Sequence, residues 1–131
     1  MEANAKIIDK TKTTTEIDGL SIMADLPANK GGGGDLPTPL QMWVASLLNC
    51  SVMTLRGFCE SMELSTEGME LGFKGERDTK TGVFTSMEFI VTLPKGFPEN
   101  HRKTVNSIIE ACTVKKIMKN LPEIELKLIH D

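Results

Sequence analysis

The chain has few cysteines, no dense run of basic residues and no long uninterrupted apolar segment. Its 131 residues include 3 cysteines, an odd number that gives no framework of structural disulfides. The formal net charge is −3, so nucleic acid and anionic membranes are poor partners for the protein. Polar side chains interrupt the longest apolar stretch, residues 40–55, which is also shorter than the roughly 20 residues that span a bilayer. The composition therefore predicts a globular protein that binds neither nucleic acid nor a membrane.

The first residues and the length of the chain lead to two further expectations. Residues 1–6 contain no apolar core of the kind that a signal peptide needs, so we expect a cytoplasmic protein. Cysteines in that compartment are normally reduced, and their disulfides are mostly transient and catalytic or redox-sensing. Because domains commonly contain about 100–150 residues, we expect residues 1–131 to form one domain. Its core is expected to be modest, so that a partner subunit that completes it would be no surprise.

The first third of the chain is predicted to contain strands followed by a glycine-rich connector. β-Branched side chains in residues 13–17 favour a strand, Asp18-Gly19 is a hairpin-turn dipeptide, and residues 20–23 resume the extended pattern. The four successive glycines of residues 31–34 lack the Lys-Ser/Thr that follows in a phosphate-binding loop. We therefore interpret them as a flexible connector.

A long apolar helix is predicted after this connector. Thr38 is a suitable N-cap, and Pro39 occupies the first helical position, where its missing N–H costs nothing. The predicted helix runs to about Ser61, and its first half is apolar almost all round, as in a buried central helix. Cys50 lies in the middle of this helix and is therefore expected to belong to the interior.

The remaining residues predict further strands and helices. Residues 67–93 alternate between apolar and polar side chains on either side of a turn, which indicates a long hairpin with one buried face. A helix is expected from Pro98, a short second helix over residues 114–120, and a closing strand over residues 124–128. Strands, a long helix, a hairpin, two helices and a strand in this order predict an α+β fold.

Cys50 and Cys112 are the side chains most informative about function. Each lies in an apolar helical pattern, so both thiols are expected to point into the interior. Free cysteine often packs simply as a small hydrophobic side chain. Two thiols in an apolar pocket are also the arrangement of a cysteine redox centre. Cys59 falls on the opposite helix face from Cys50 and is expected to serve packing. His101 and His130 are isolated, so we predict no metal site and no cofactor.

Two segments around these cysteines resemble the OsmC/organic hydroperoxide resistance family, the thiol peroxidases of bacteria and archaea. Thr38–Cys50 (TPLQMWVASLLNC) is similar to the family helix Pro-x-Glu-Leu-Leu-x-Ala-x-x-x-Cys, and Ala111–Lys115 (ACTVK) is similar to the family segment Cys-Pro-Val-Ser. The resemblance implies one OsmC-like domain over residues 1–131. It also implies an intertwined homodimer, in which antiparallel sheets of both subunits wrap around central helices and the active sites lie at the interface.

The resemblance further implies a reaction. Cys50 attacks the O–O bond of a peroxide as the thiolate, Cys112 condenses with the resulting sulfenic acid to a disulfide, and a thiol reductant restores both. An apolar pocket would favour organic hydroperoxides over hydrogen peroxide. Lys115 and Lys116 follow Cys112 closely and would lower the pKa of its thiol, and a helix start at Cys112 would lower it as well. Cys112 as the more reactive thiol is therefore an alternative assignment.

Two charged residues of the family are not matched in this chain. The family supplies an arginine from its N-terminal strands, whereas no arginine precedes Arg56 here. The position of the family glutamate is occupied by Gln41, or by Leu40 in comparison with the other branch of the family. Gln41 can hydrogen-bond but carries no charge, and we include it as a third candidate catalytic residue. Lys10 and Lys12 are the candidate replacements for the arginine, although a lysine lacks the planar fork of a guanidinium. Burial alone keeps a thiol protonated, so Cys50 is expected to need a nearby cation.

Three functions are compatible with this pattern. The first is a homodimeric peroxidase that uses Cys50 and Cys112 to reduce organic hydroperoxides at the expense of a thiol reductant. The second is a non-catalytic protein of the same fold that binds a lipophilic small molecule in the dimer cavity, which the missing arginine and glutamate favour. The third is a sulfur or redox sensor, in which a persulfide or sulfenate at one cysteine signals to a partner.

Overall fold

Three antiparallel strands, β1 (Ala3–Ile7), β2 (Thr13–Ile17) and β3 (Leu20–Ala24), form a sheet in the order β1-β2-β3. The computed structural model describes residues 1–130, and this sheet belongs to the first of two compact units, which ends at Ala45. Asp18 and Gly19 join β2 to β3 with φ angles of 46° and 79°. Positive φ at both central residues is the requirement of the turn that matches the twist of a hairpin. The predicted strands and the turn dipeptide are confirmed.

Hydrogen bonds to one carboxylate order the glycine-rich connector. Asp25 is buried, and its side chain accepts from the N–H of Leu26 (2.8 Å) and from the N–H of Gly33 (2.9 Å). The N–H of Asp25 in turn donates to the carbonyl of Pro37 (3.1 Å). A Cβ atom on Gly32 would clash with the Leu26 carbonyl oxygen, so the chain can pass here only because residue 32 has no side chain.

The long helix α1 (Pro39–Ser61) has the predicted start and end. Thr38 caps it, since its hydroxyl accepts from the N–H of Gln41 (3.2 Å) while the Gln41 side-chain oxygen accepts from the N–H of Thr38 (2.9 Å). This reciprocal pair is a capping box, which satisfies two backbone donors at the helix start. It explains why the helix begins sharply at Pro39.

Helix α1 is less buried than its apolar composition predicts. Its fully buried side chains repeat every four residues, Leu47, Ser51, Leu55 and Cys59, and form a single stripe. Only 22% of its most apolar window is buried in the described chain. The helix is long and apolar enough to cross a membrane, but the central helix of a globular protein can have the same length and composition.

The second unit begins at Ser46 and contains the long hairpin. Strand β4 (Glu70–Arg77) pairs antiparallel with β5 (Phe84–Thr92), and a bulge lies between Glu76 and Arg77. Asp78 closes the turn, because its N–H donates to the carbonyl of Val83 (2.9 Å). The predicted hairpin and its turn are confirmed.

The helical part after the hairpin is more broken than predicted. Residues Glu99–Thr104 form a 3-10 helix, which continues into α2 (Val105–Glu110) and, after a break, into α3 (Thr113–Lys119). The break is at Cys112, whose extended backbone (φ −65°, ψ 140°) cannot continue a helix. The expectation that Cys112 lies within a helix is therefore wrong, whereas the expectation that its side chain is buried is confirmed.

The core of the second unit is built around one end of α1. Cys59 packs in a buried cluster with Phe97, Val105 and Ile109, and the hairpin contributes partly buried side chains such as Leu71. The two sheets and three helices confirm the predicted α+β class.

The predicted closing strand is wrong for this chain taken alone. Residues 121–130 have no regular secondary structure, and the apolar side chains of the predicted strand are exposed, Ile124 at 81%, Leu126 at 94% and Leu128 at 86%. A strand needs a neighbour that accepts and donates its backbone hydrogen bonds. Within the described residues 1–130 this segment pairs with no strand, although its alternation of apolar and charged residues is that of one.

Candidate functional site

The candidate site lies where α3 begins, next to the middle of α1. Cys112 is the N-cap of α3, and its Sγ accepts from the backbone N–H of Lys115 (3.4 Å). The first N–H groups of a helix have no partner within the helix, so they need one from outside. Cysteine is not among the usual capping residues, which makes this use of a sulfur atom distinctive.

Cys50 accepts hydrogen bonds from the other backbone N–H groups that are free at the start of α3. Desolvation raises its pKa, but hydrogen bonds from the N–H of Val114, the thiol of Cys112 and the N–H of Thr113 lower it, and the net shift is downward. The hydroxyl of Thr54 donates to the carbonyl of Cys50 (2.7 Å). Cys50 is partly exposed, so the prediction that it belongs wholly to the interior is wrong for the isolated chain. The two sulfur atoms are close neighbours, and both cysteines are free thiols.

The source of thiolate stabilisation differs from the expected one. The sequence predicted a nearby cation, whereas the groups that lower the pKa of Cys50 are neutral donors, among them the N–H groups of Val114 and Thr113. Hydrogen bonds to the charged form of a group favour that form, and a helix start concentrates such donors. Backbone N–H groups have no sequence signature of their own. The only available signal was a helix start at Cys112, which the sequence reasoning considered for the reactivity of Cys112 itself.

Ser51 is a second link between α1 and the start of α3. It is fully buried in the stripe of α1, and its hydroxyl donates to the carbonyl of Leu47 (2.7 Å). The same Oγ lies 3.8 Å from the Sγ of Cys112. Sequence reasoning missed Ser51, because a serine beside a cysteine in an apolar helix carries no pattern that separates it from ordinary helix interior.

Lys115 is buried near the cysteines, and its ammonium group contacts Phe89 and Glu110. Its Nζ lies 4.3 Å from the ring centroid of Phe89 and 3.9 Å from a carboxylate oxygen of Glu110. A buried charge needs such partners, and a cation over an aromatic face is one of them. A hydrogen bond from Lys119 holds the pKa of Glu110 below its usual value. These contacts attach α3 to the hairpin.

The remaining candidate residues have other surroundings. Gln41 is exposed and engaged in the capping box of α1, and its catalytic role stays a prediction. Cys59 is fully buried in the core, and desolvation raises the pKa of its thiol. Arg56, the first arginine of the chain, is exposed and pairs with Glu60 (3.2 Å).

The arrangement can carry out thiol redox chemistry. It holds one thiol whose anion is stabilised, Cys50, and a second thiol in hydrogen-bonding reach, Cys112. Within residues 1–130 no cluster of His, Cys, Asp and Glu side chains is suited to a metal ion.

Comparisons with known proteins agree on one fold. The family model described as OsmC-like protein matches residues 32–127 of the chain. The structure is similar to that of an osmotic stress induced and detoxification response protein from Psychrobacter arcticus 273-4, at 16% identity over 87% of this chain and 85% of that chain, with a TM-score of 0.75. At this identity the likeness concerns the fold.

Two further solved structures are similar. One is an organic hydroperoxide resistance protein OsmC from Legionella pneumophila, at 20% identity over 91% of this chain and 90% of that chain, with a TM-score of 0.57. The other is an organic hydroperoxide resistance protein from Elizabethkingia anophelis, at 16% identity over 92% and 90% of the two chains, with a TM-score of 0.63. No curated protein sequence matches the chain.

Proposed function

Because the chain belongs to the OsmC-like protein family, we propose that it is a thiol-dependent peroxidase that reduces organic hydroperoxides through Cys50 and Cys112. The observation that carries the proposal is the set of hydrogen bonds that Cys50 accepts from the N–H groups of Val114 and Thr113 and from the Cys112 thiol, which lower its pKa. A thiol must lose its proton to act as a nucleophile, and such a lowered pKa is the usual mark of a reactive cysteine. The names of the Legionella and Elizabethkingia proteins agree with this substrate class.

In the first step the Cys50 thiolate attacks the distal oxygen of the hydroperoxide. The O–O bond breaks, Cys50 becomes the sulfenic acid, and the organic group leaves as its alcohol after it takes up a proton. The N–H groups of Thr113 and Val114 stabilise the thiolate before the attack. They cost no reorganisation during the reaction, because the helix holds them in place.

In the second step Cys112 attacks the Cys50 sulfenic acid. The S–O bond breaks, a disulfide forms and water leaves. The hydrogen bond between the two thiols in the reduced protein supports this step, since the reacting atoms are already neighbours. A small dithiol or a dithiol protein then reduces the disulfide, and the cycle is complete.

The substrate class follows from the surface beside Cys50. Of the α1 side chains one turn from Cys50, Met53 is apolar and 66% exposed. An apolar surface favours a hydroperoxide with a hydrocarbon group over hydrogen peroxide. We assign the reaction to the cytoplasm, where thiol reductants are available.

The activity is tested with purified reduced protein and cumene hydroperoxide. We expect stoichiometric loss of the Cys50 and Cys112 thiols and an intrachain disulfide between them. Cys50→Ser should reduce no peroxide, while Cys112→Ser should stop at the sulfenic acid of Cys50. Cys59→Ala is the matched control, since its thiol lies in the core, and it should react like the unmodified protein. A Cys50→Ser variant that still reduces the peroxide at the normal rate contradicts the proposal.

We also propose that the functional unit is a homodimer. Two surfaces support it, the long helix α1, of which only 22% of the most apolar window is buried, and the exposed apolar side chains of residues 124–128. Exposed apolar surface of this extent on a small protein usually marks an interface. In a dimer the strand-like segment would gain the backbone partners that it lacks in one chain.

The oligomeric state is measured by light scattering, which should give twice the chain mass of 14.4 kDa. Leu126→Asp should shift the protein toward the monomer, because this side chain is 94% exposed in one chain and its replacement costs a monomer nothing. Lys127→Asp introduces the same residue on the opposite side of the alternating segment and is the matched control. A monomeric unmodified protein at high concentration would refute the dimer.

A second function is favoured by the surroundings of the first arginine. Arg56 is exposed and paired with Glu60, so it does not supply the guanidinium that the family places beside its cysteine. A non-catalytic protein that binds a lipophilic small molecule would not need it. Native mass spectrometry of the purified protein separates the two functions, since a retained apolar ligand together with thiols inert to peroxide selects binding.

A further inference from the structure

Ser51 is a fully buried polar side chain that the first step of the reaction does not use. It belongs to the buried stripe of α1 between Leu47 and Leu55, where an apolar residue would give the ordinary core. A buried hydroxyl needs hydrogen-bond partners to offset the loss of water. Its two contacts are the carbonyl of Leu47 and the sulfur of Cys112.

The direction of these two contacts follows from the single proton of a hydroxyl. At 2.7 Å the Leu47 carbonyl is the close partner and takes the Ser51 proton. The same hydroxyl makes a second, longer contact of 3.8 Å in which the Cys112 sulfur accepts, so the thiol proton of Cys112 remains directed to Cys50. The sulfur itself also accepts from the N–H of Lys115 (3.4 Å). Cys112 is thereby held from α1 on one side and from α3 on the other.

We propose that Ser51 is a positioning residue for the resolving thiol: it holds Cys112 beside Cys50 for the step that forms the disulfide. The proposal rests on the proposed function. In that step the Cys112 sulfur forms a bond to the Cys50 sulfur, the S–O bond of the sulfenic acid breaks, and the thiol proton leaves with the oxygen as water. Ser51 contributes no atom to this balance. It limits the rotamers of Cys112 to the one that faces Cys50.

The proposed role of Ser51 concerns the second chemical step and not the first. The first step depends on the donors around Cys50, among which Ser51 is not found. The second step depends on the position of the Cys112 sulfur, which Ser51 contacts. Removal of the hydroxyl should therefore slow disulfide formation and leave sulfenic acid formation unchanged.

The experiment is a single turnover of reduced protein with cumene hydroperoxide, quenched over time and analysed by mass spectrometry. Dimedone traps the sulfenic acid, and the disulfide is measured as the linked Cys50–Cys112 peptide. For Ser51→Ala we expect the first phase at the unmodified rate and the second phase roughly tenfold slower, with more dimedone adduct. Ser51→Thr keeps the hydroxyl and should restore the second phase. Ser61→Ala is the matched control, because Ser61 also donates to a carbonyl of its helix but is exposed at the helix end.

Two results overturn the proposal. One is a second phase of Ser51→Ala equal to that of the unmodified protein. The other is an equal slowing of both phases, which would give Ser51 a role in the fold alone. If the unmodified protein forms no sulfenic acid, the proposed function fails separately. The variants are then compared in disulfide formation with diamide as the oxidant, where a rate of Ser51→Ala equal to the unmodified rate overturns the positioning role as well.

Discussion

Replacement of Thr113 by proline isolates the contribution of one backbone N–H to the Cys50 thiolate. Thr113 is exposed and is the first residue of α3. Proline is common at this position, because the first N–H of a helix has no acceptor within the helix. The residue before a proline must be extended, and Cys112 already has φ −65° and ψ 140°. Thr113→Pro therefore removes the donor with little expected change in the fold.

The magnitude follows from the kind of hydrogen bond that is lost. A hydrogen bond to a charged group contributes about 1.5–3 kcal/mol when it is well shielded from water. Cys50 is partly exposed, so water replaces part of the lost interaction, and we take about 1 kcal/mol. Since 1.36 kcal/mol corresponds to a tenfold change in a protonation equilibrium, the thiolate fraction below the pKa should fall roughly fivefold.

The assay is the rate of Cys50 alkylation by iodoacetamide as a function of pH, measured on the separated peptides so that each cysteine is observed alone. The pKa of Cys50 should lie below the ordinary value of a thiol and move upward in Thr113→Pro. Thr113→Ala keeps the N–H and is the matched control, with the profile of the unmodified protein. Equal profiles for the proline and alanine variants would refute the assignment of this N–H as a donor to Cys50.

Further predictions concern stability and are checked by chemical or thermal unfolding. Leu55→Ala should lower the free energy of unfolding by about 2–5 kcal/mol, because Leu55 is fully buried and its truncation leaves a cavity. Gly32→Ala should cost about 3 kcal/mol, since the new Cβ would clash with the backbone of Leu26 and the loop must move. The hydrogen bond from Gly33, with the other donors, lowers the pKa of Asp25. Its contribution to stability is therefore present above the ordinary carboxyl pKa of about 4 and is lost as the pH falls through the lowered pKa. Asp25→Asn should be less stable at neutral pH and lose less of its stability in acid. A free energy of unfolding of the unmodified protein that does not change between pH 5 and 2 would contradict this.

The elements that the sequence predicts well are those fixed by neighbouring residues. The start of α1 follows from Thr38 and Pro39, and the structure adds the second half of the capping box, Gln41. The turn at Asp18-Gly19 follows from the need for positive φ at both positions. In each case the chemistry that decides the structure lies within four residues, so that a sequence contains all of it.

The features that the sequence does not predict depend on distant partners. The extended backbone at Cys112 divides two helices that the apolar pattern joins, because the free donors of α3 find the sulfur of Cys50, more than sixty residues away. The segment 124–128 has the pattern of a strand but no partner strand in the described chain. Burial of Lys115 depends likewise on Phe89, which the fold brings to it from the hairpin. A local sequence pattern carries no information about contacts between residues that are far apart in the chain.

The reactivity of Cys50 and the formation of α3 are linked. An isolated helix of 7 residues is unstable in water, so α3 exists only while its contacts to the hairpin and to Cys50 hold it. The Cys50 thiolate accepts two of the N–H groups that the helix start leaves free, and it must therefore stabilise α3 as much as α3 stabilises it. A perturbation that releases the Lys115 side chain from Phe89 would raise the pKa of Cys50 without touching it. The lowering of the Cys50 pKa is for this reason a property of the folded unit, and it should be lost when α3 unfolds.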